Sequence, residues 1–305
     1  MGWEVVKSAF GKEFKIFETA QDSAMSRFIP MVYDPIGFDW KTFFEQDFVD
    51  RFNGLMISGG TNVKKVYCVV FFNDEIVNEI LNKNEDGVMI FAHHPVQMEC
   101  GDPKGKKGRG FLPIDPELLR QIKARGISVY TCHAPLDAGS VSGLGTGEAI
   151  VKRLNAKVLS QYDEYAHGYA GRVFELPEVT TTEALAEKLR IMCDLPYVDI
   201  QGIRGKQIKK VAILPGGGGS VDDIKLAEEQ GVDCIITGEV TCKIDNERGE
   251  REKKALEEYY PTTSILAIGL SHAGSEFLVM YDVVDWIKKT LGIEAEVLAE
   301  KRWRR

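Results

Sequence analysis

The sequence predicts an α/β fold built from two similar units. Apolar, β-branched runs alternate with helix-like segments along most of the chain, a pattern typical of largely parallel strands covered by helices. Residues 64–94 and 209–239 also match: each starts with Lys-Lys-Val and continues through a strand, a helix and a second apolar strand. We therefore expect two related units whose strand ends face across one cleft. Chance similarity between two βαβ segments is the alternative to a repeat.

The composition is that of an ordinary globular protein. The 305 residues include 44% hydrophobic and 28% charged residues and carry a formal net charge of −8. The negative charge argues against a nucleic-acid partner, and no apolar run approaches the ~20 residues that span a bilayer. The six cysteines form no CxxC pair and the first residues lack a signal-peptide core. We therefore expect a reduced, cytoplasmic protein that binds neither nucleic acid nor membrane.

The first half of the chain predicts an N-terminal extension and one α/β unit. Residues 1–50 are rich in aromatic side chains, so we expect this extension to pack onto the body of the protein. Residues 51–160 form the predicted first unit. Its strands are expected at 63–72, 87–92 and 127–132, and its helices at 75–82, 116–125 and 146–154. Asn73 and Asp115 are the predicted N-caps of the first two helices.

Residues 161–305 form the predicted second unit. Strands are expected at 168–176, 197–201, 209–214, 233–237, 264–269 and 293–298, and helices at 182–192, 221–230, 248–259 and 283–291. The glycine run 216–219 leads into one of these helices, where backbone amides can hold a phosphate. Because no Gly-Lys-Ser/Thr follows the run, a tight turn with close backbone packing is the favoured interpretation. A basic tail, residues 301–305, closes the chain.

A histidine pair stands at the end of the strand predicted at 87–92. Alternate side chains of a strand point to opposite faces, and Pro95 cannot continue a central strand. We therefore expect His93 and His94 to lie beyond the strand end, where the backbone can bend and each ring can face one of two adjacent metal ions. The alternative is a pair of loop histidines without a ligand.

Two further histidines follow strands and are each followed by a carboxylate four residues later. These pairs are His133 with Asp137 and His272 with Glu276. On a helix, residues i and i+4 share one face, so His272 and Glu276 can bind a common centre. Imidazole and carboxylate ligands suit zinc, iron or manganese, and no cysteine has the spacing of a structural zinc site. The whole set predicts a dinuclear metal centre; scattered structural histidines are the alternative.

The segment between the histidine pair and the next helix, residues 101–110, contains four glycines and four cations. This composition predicts a mobile loop without regular structure. Because the loop follows the histidines, it can fold over the site and bring positive charge to an anionic substrate. A loop that is merely solvated is the alternative.

At this point the chain resembles a known family, the Nif-like dimetal-binding proteins, which are homologues of GTP cyclohydrolase I type 2. The resemblance covers residues 52–300. It rests on Asn53-Gly54-Leu55, Ala92-His93-His94-Pro95, His133-Ala134-Pro135-Leu136-Asp137-Ala138, the glycine run to Ser220, Thr237-Gly238-Glu239 and His272-x-x-x-Glu276. Members usually carry a histidine shortly after the Thr-Gly-acid motif, whereas this chain has Thr241-Cys242-Lys243 there.

The resemblance implies two interleaved α/β domains, a metal site in the cleft between them and a ring-shaped homohexamer. It implies two divalent metal ions per chain, with one carboxylate bridging both. The implied ligands are His93, His94, Asp137, His272 and Glu276.

A dinuclear centre predicts metal-dependent hydrolysis, because two ions ~3.5–4 Å apart activate water and clamp the attacked group. The resemblance suggests a nucleotide-like, pterin-like or phosphorylated small molecule as substrate. Two further residues are candidates for catalysis. His133 can orient Asp137 or shuttle a proton, and Glu239 takes the place of His94 in the repeat, so it is a candidate base or a salt-bridged acid. A non-enzymatic metal carrier, regulator or assembly factor is the alternative function.

Overall fold

The computed structural model describes residues 1–300 and confirms the predicted α/β class. The predicted basic tail, residues 301–305, lies outside the described part of the chain. Unit 1 comprises Met1–Met98, Phe111–Leu144 and Met280–Glu300, and unit 2 comprises Glu99–Gly110 and Gly145–Val279. The chain thus leaves and re-enters unit 1. The domain limits predicted at residues 50 and 160 stay predictions; the compact units divide the chain at other points.

The elements alternate along most of the chain. The strands are β1 (Gly54–Ile57), β2 (Lys65–Phe71), β3 (Val88–His94), β4 (Gln97–Glu99), β5 (Gly110–Leu112), β6 (Ser128–Thr131), β7 (Lys157–Tyr165), β8 (Gly168–Thr181), β9 (Asp199–Gln201), β10 (Gln207–Leu214), β11 (Cys234–Thr237), β12 (Leu266–Gly269) and β13 (Glu294–Val297). The α-helices are α1 (Trp3–Glu13), α2 (Met25–Tyr33), α3 (Trp40–Phe43), α4 (Gln46–Arg51), α5 (Asp74–Lys83), α6 (Pro116–Ala124), α7 (Ala134–Ala138), α8 (Thr146–Arg153), α9 (Thr182–Met192), α10 (Val221–Glu229), α11 (Glu247–Tyr259), α12 (His272–Glu276) and α13 (Leu278–Leu291).

Each unit contains one large sheet. Unit 1 has five strands in the order β1-β6-β3-β2-β13, and only β1 runs antiparallel to its neighbour. Unit 2 has six strands in the order β7-β8-β10-β11-β12-β9, of which β10, β11 and β12 are mutually parallel. The strands β7, β8 and β9 pair antiparallel with their neighbours. The expectation of largely parallel strands therefore holds for the centre of each sheet.

The strand β7 has no counterpart among the predicted elements. Its first five residues are exposed, and it pairs only with β8 at the edge of the sheet. An edge strand with most of its side chains in water lacks the alternation of apolar and polar residues that identifies a half-buried strand. The sequence prediction missed it for this reason.

The pairing of strands bears out the predicted repeat. In unit 1 Val66 pairs with Met89, and in unit 2 Val211 pairs with Cys234. Val66 and Val211 are the valines of the two Lys-Lys-Val segments, so the first two strands of the repeat pair in the same register in both units. Each unit then adds a third parallel strand, β6 or β12, and an antiparallel strand beside it, β1 or β9. The repeat therefore extends over four strands in each unit.

His133 and His272 follow the third strand of each unit at positions that differ by one residue. Ala92 pairs with Thr131, two residues before His133, whereas Thr237 pairs with Gly269, three residues before His272. As a result His133 is the N-cap of α7, while His272 is the first residue of α12 and Ser271 is its N-cap. One additional residue after β12 produces this shift.

The N-terminal extension packs into unit 1, as predicted. Phe10 and Phe14 of this extension are fully buried. The ring centroid of Phe10 lies 5.3 Å from that of Phe91 and 5.0 Å from that of Tyr130, at angles typical of edge-to-face aromatic pairs. Other aromatic side chains of the extension, among them Tyr33 and Trp40, belong to the core cluster that contains Ile90, so the extension contributes to the hydrophobic core of unit 1.

The predicted helix starts are confirmed by their capping contacts. The side chain of Asn73 accepts a hydrogen bond from the N–H of Ile76 at 2.9 Å, and that of Asp115 accepts one from Glu117 at 2.8 Å.

Among residues 1–300, no helix combines the length and the apolarity needed to cross a membrane.

The loop at residues 101–110 makes backbone and side-chain contacts with the rest of unit 2, and residues 101–107 form no helix or strand, as predicted; its mobility stays a prediction. The N–H of Gly108 donates to the carbonyl of Lys243, and its own carbonyl accepts from the N–H of Asp245, both at 2.8 Å. Two of the loop cations are paired: Lys107 contacts Asp245 and Glu250, and Arg109 contacts Glu99. Composition did not reveal these contacts because most of the partners lie more than a hundred residues away in sequence.

Candidate metal centre

The strand β3 carries both neighbouring histidines. It continues through His94 because β2 still pairs with it there, through Phe71 opposite His94, so the predicted strand end at Ala92 is wrong. The pairing with β6 does end at Ala92, and both histidines lie beyond that point. Their ring centroids are 4.3 Å apart, and the ring of His94 stacks on Phe71 at 4.2 Å. The two rings therefore lie side by side at the carboxyl end of a buried strand.

A backbone contact fixes the orientation of the His93 ring. Its Nδ1 lies 2.9 Å from the carbonyl oxygen of Cys132. A carbonyl oxygen only accepts hydrogen bonds, so Nδ1 carries the proton and the Nε2 of the neutral ring presents a lone pair. That Nε2 lies 3.4 Å from Oδ1 of Asp137. The ring is thus held in the tautomer that a metal ligand needs.

His133 is oriented by a carboxylate from the N-terminal extension. Its Nδ1 lies 2.7 Å from Oδ2 of Asp22, and its Nε2 lies 3.8 Å from Oδ2 of Asp137. The backbone N–H of His133 donates to Oδ1 of Asn53 at 2.7 Å, and the amide of Asn53 donates to Asp22 at 3.3 Å. Burial by itself would raise the pKa of Asp22. The close contact with His133 and the hydrogen bonds from the backbone N–H groups of Met25 and Ala134 outweigh burial and lower that pKa.

Unit 1 therefore brings four of the predicted site residues together. The ligand atoms of His93, His94 and His133 lie within 4.8 Å of one another, and all three side chains are buried. Asp137 presents one oxygen to His93 and the other to His133. An imidazole lone pair opposite a carboxylate oxygen places two acceptors face to face, an arrangement that a cation between them stabilises.

Unit 2 holds the other three predicted residues. The Nε2 of His272 lies 3.5 Å from Oε1 of Glu276, and its Nδ1 lies 3.1 Å from Oε1 of Glu239. His272 and Glu276 lie four residues apart on α12, as predicted, and the side chain of Ser271 caps that helix by accepting from the N–H of Gly274. The contact between Glu239 and Nδ1 favours the tautomer whose Nε2 faces Glu276.

The glycine run before α10 packs directly against this cluster. A Cβ at Gly216, whose φ is +66°, would lie 2.2 Å from Oε1 of Glu276 and 3.0 Å from Nε2 of His272. The N–H of Gly216 donates to the hydroxyl of Ser275, which in turn donates to the carbonyl of His272. These contacts confirm the tight turn with close backbone packing that the sequence predicts.

One cysteine joins the unit 2 cluster, and sequence spacing gave no signal for it. The ligand atoms of Cys100, Glu239 and His272 lie within 4.8 Å of one another. Burial raises the pKa of the Cys100 thiol well above its usual value, and the charge of Glu239 adds to this effect. The buried thiol is thus held in its protonated, weakly reactive form.

Sequence reasoning also missed Asp22 and Asn53 as parts of the unit 1 cluster. Asp22 lies 111 residues before His133 in sequence, and neither residue has a spacing that identifies a histidine partner. The metal-ligand and catalytic roles assigned to the seven predicted residues stay predictions.

The site and the fold together define a class: an α/β protein whose strand ends carry histidine and carboxylate groups suited to hold a metal. The chain belongs to the Duf34/NIF3 (NGG1p interacting factor 3) family, whose sequence profile matches residues 46–301.

Two relatives and one solved structure illustrate this membership. A protein of Haemophilus influenzae named "GTP cyclohydrolase 1 type 2 homolog" is 25% identical over 252 residues, which cover 80% of this chain and 87% of that protein. A protein of the same name from Archaeoglobus fulgidus is 27% identical over 247 residues, covering 81% and 88%. The structure of protein ybgI, of unknown function, covers 92% of this chain and 99% of its own at 18% identity, with a TM-score of 0.62. The likeness to the solved structure establishes the fold, and the sequence profile establishes the family.

Proposed function

We propose that this protein binds two divalent metal ions per chain and is a metal-dependent hydrolase. Its substrate in this proposal is a nucleotide-like, pterin-like or phosphorylated small molecule. The family name carried by the relatives, "GTP cyclohydrolase 1 type 2 homolog", supports the nucleotide-like class.

The observation that supports the proposal most strongly is that imidazole nitrogens lie opposite carboxylate oxygens in both units. In unit 1 the Nε2 atoms of His93 and His133 face the two oxygens of Asp137, and in unit 2 Nε2 of His272 faces Glu276. In each of these three rings Nδ1 makes a hydrogen bond that fixes the orientation of the ring, as is usual for metal-binding imidazoles. The donor set therefore fits a divalent cation.

The proposed ligands are the ones that the family resemblance implies. Buried imidazole and carboxylate ligands suit zinc, iron or manganese. The proposed ligands are His93, His94, Asp137, His272 and Glu276.

The protein's own residues then divide the remaining tasks. When bound, a pair of divalent ions supplies Lewis acidity and a nucleophilic water near neutral pH. Asp137 and Glu276 neutralise part of the ionic charge. Glu239 keeps the proton of His272 on Nδ1, and its hydrogen bond there supports an orienting role better than that of a free base. His133, oriented by Asp22, is the group placed to accept or return a proton beside Asp137.

The loop at 101–110 has a smaller part than its composition indicates. Lys107 and Arg109 are already paired with carboxylates, so less of the loop's charge is available to an anionic substrate.

We also propose that the protein is a homohexamer, as the resemblance implies. The edge strand β7, on which Val158 and Leu159 are each 44% exposed, offers a surface on which copies can pair.

Metal content tests the first part of the proposal. Elemental analysis of protein purified without chelator should find about two transition-metal ions per chain, the number in a two-metal site. His94→Ala should lose at least one of them, because it removes an imidazole from the unit 1 cluster. A metal content near zero after supplementation with zinc, iron and manganese would refute the metal-binding proposal.

Turnover tests the second part. Hydrolysis of a substrate in a panel of nucleotides, pterins and phosphate esters should require metal, and Asp137→Asn should lower the rate more than it lowers metal content. If the panel shows only slow cleavage that Asp137→Asn leaves intact, a contaminating enzyme explains it. The protein is then a non-enzymatic metal carrier, regulator or assembly factor.

A further inference from the structure

The N-terminal extension places one carboxylate in the unit 1 cluster. Asp22 lies outside residues 46–301, the part that the family profile matches. Its side chain is fully buried, in a segment where most carboxylates are exposed. A buried carboxylate must be compensated by hydrogen bonds or charge, so its partners indicate what it does.

The two oxygens of Asp22 have different partners. Oδ1 accepts from the backbone N–H groups of Ala24 and Met25 at 3.0 and 2.9 Å, a capping arrangement at the start of α2. Oδ2 faces Nδ1 of His133 at 2.7 Å and accepts from the N–H of Ala134 at 3.1 Å. One oxygen thus serves the local fold, and the other serves the histidine.

We propose that Asp22 is a positioning residue: it holds the proton of His133 on Nδ1 and so keeps Nε2 of His133 facing Asp137, the carboxylate proposed as a metal ligand. This inference rests on the proposed function for the role of Asp137. The orientation of the ring rests only on the contacts of Asp22.

The same arrangement occurs independently in unit 2. There Glu239 faces Nδ1 of His272, and Nε2 of His272 faces Glu276. In both units a carboxylate distant in sequence binds Nδ1, and a carboxylate four residues after the histidine faces Nε2. The difference lies in the source: Glu239 belongs to the family-matched region, whereas Asp22 comes from the extension. The extension therefore supplies unit 1 with a partner that unit 2 takes from the segment directly after β11.

The zinc affinity of the full-length protein tests this role. It is measured by letting the protein compete with a chromophoric chelator for Zn²⁺, with no other ligand added. Asp22→Ser keeps a side chain that can cap α2 but removes the carboxylate from His133, and Asp22→Asn keeps the size of the side chain and removes its charge. We expect Asp22→Ser to weaken zinc binding about 10–100-fold, the usual effect of losing a group that orients the surroundings of a metal ligand, here His133 beside Asp137. Asp39→Ala is the matched control. It removes a cap in the same extension, at α3, without touching a histidine, and should change affinity less than about twofold.

A double-mutant cycle separates positioning from a general structural effect. In the background of His133→Gln, Asp22→Ser should have almost no further effect on zinc affinity, because the two residues act as one unit. An equal loss in both backgrounds would overturn the proposal, as would unchanged affinity in Asp22→Ser. If the serine variant does not fold, Asp22→Asn is measured in the same cycle and is held to the same outcomes.

A tautomer measurement decides the orientation without any metal. In metal-free protein labelled with ¹⁵N-histidine, the signal missing from His133→Gln identifies His133. Its Nδ1 should be protonated in the wild type, and this preference should weaken in Asp22→Ser. A ring protonated on Nε2 alone would overturn the inference. A wild type that binds no zinc yet shows the expected tautomer would refute the proposed function and leave the positioning role standing.

Discussion

Gly216 is the backbone position on which the unit 2 cluster depends most directly, and we expect Gly216→Ala to disrupt that cluster. An added Cβ would lie 2.2 Å from Oε1 of Glu276 and 3.0 Å from Nε2 of His272. Ordinary contacts of a Cβ begin near 3.4 Å. The carboxylate of Glu276 would therefore have to move by about 1 Å, away from the atom of His272 that it faces.

Two costs follow from this substitution. The φ of +66° at Gly216 is left-handed, and an L-residue there loses about 1–2 kcal/mol of folding free energy. In addition, Glu276 would no longer face Nε2 of His272. Loss of a residue that only orients a metal ligand weakens metal binding ~10–100-fold, so displacing a ligand itself should weaken binding by at least this factor.

Gly217→Ala is a closely matched control. The Cβ at this neighbouring glycine would lie 3.8 Å from Cε1 of His272, which is ordinary van der Waals contact. We expect it to leave zinc affinity and the free energy of unfolding within about 0.5 kcal/mol of the wild type, as for substitutions that touch no special feature.

Both quantities can be measured on the full-length protein, by chelator competition for zinc and by urea unfolding of the metal-free form. If Gly216→Ala binds zinc as tightly as Gly217→Ala, the added Cβ does not displace Glu276 from a ligand position. If Gly216→Ala lowers stability but not affinity, the backbone strain is real and Glu276 is not a ligand.

Two further substitutions test the fold. Phe10→Ala should lower the free energy of unfolding by about 3–5 kcal/mol, since it removes a fully buried ring, whereas Phe17→Ala, at a side chain 55% exposed, should cost far less; similar losses would contradict the packing of the extension. Asn73→Ala should cost about 1 kcal/mol through loss of the α5 cap, measured by urea unfolding, and Asn78→Ala on the exposed face of the same helix provides the comparison.

Local patterns in the sequence predicted many of the strands and helices between residues 63 and 298. Cap residues such as Asn73 and Asp115 act over three residues, so their effect on helix starts is visible in a short window. The spacing of His272 and Glu276 likewise needs only the geometry of one helical turn. The repeat was visible because strand pairing has the same register in both units.

Tertiary structure alone decided which distant side chains complete each cluster. Asp22 meets His133 across 111 residues, and Cys100 joins Glu239 and His272 only because the loop after β4 is bound to the segment at 243–250. The same is true of β7, whose exposed residues carry no apolar pattern. Such contacts depend on how strands and loops are ordered in three dimensions, and neither spacing nor composition encodes that order locally. The sequence determined which histidines and acids end the strands, and the fold decided which carboxylate orients each ring.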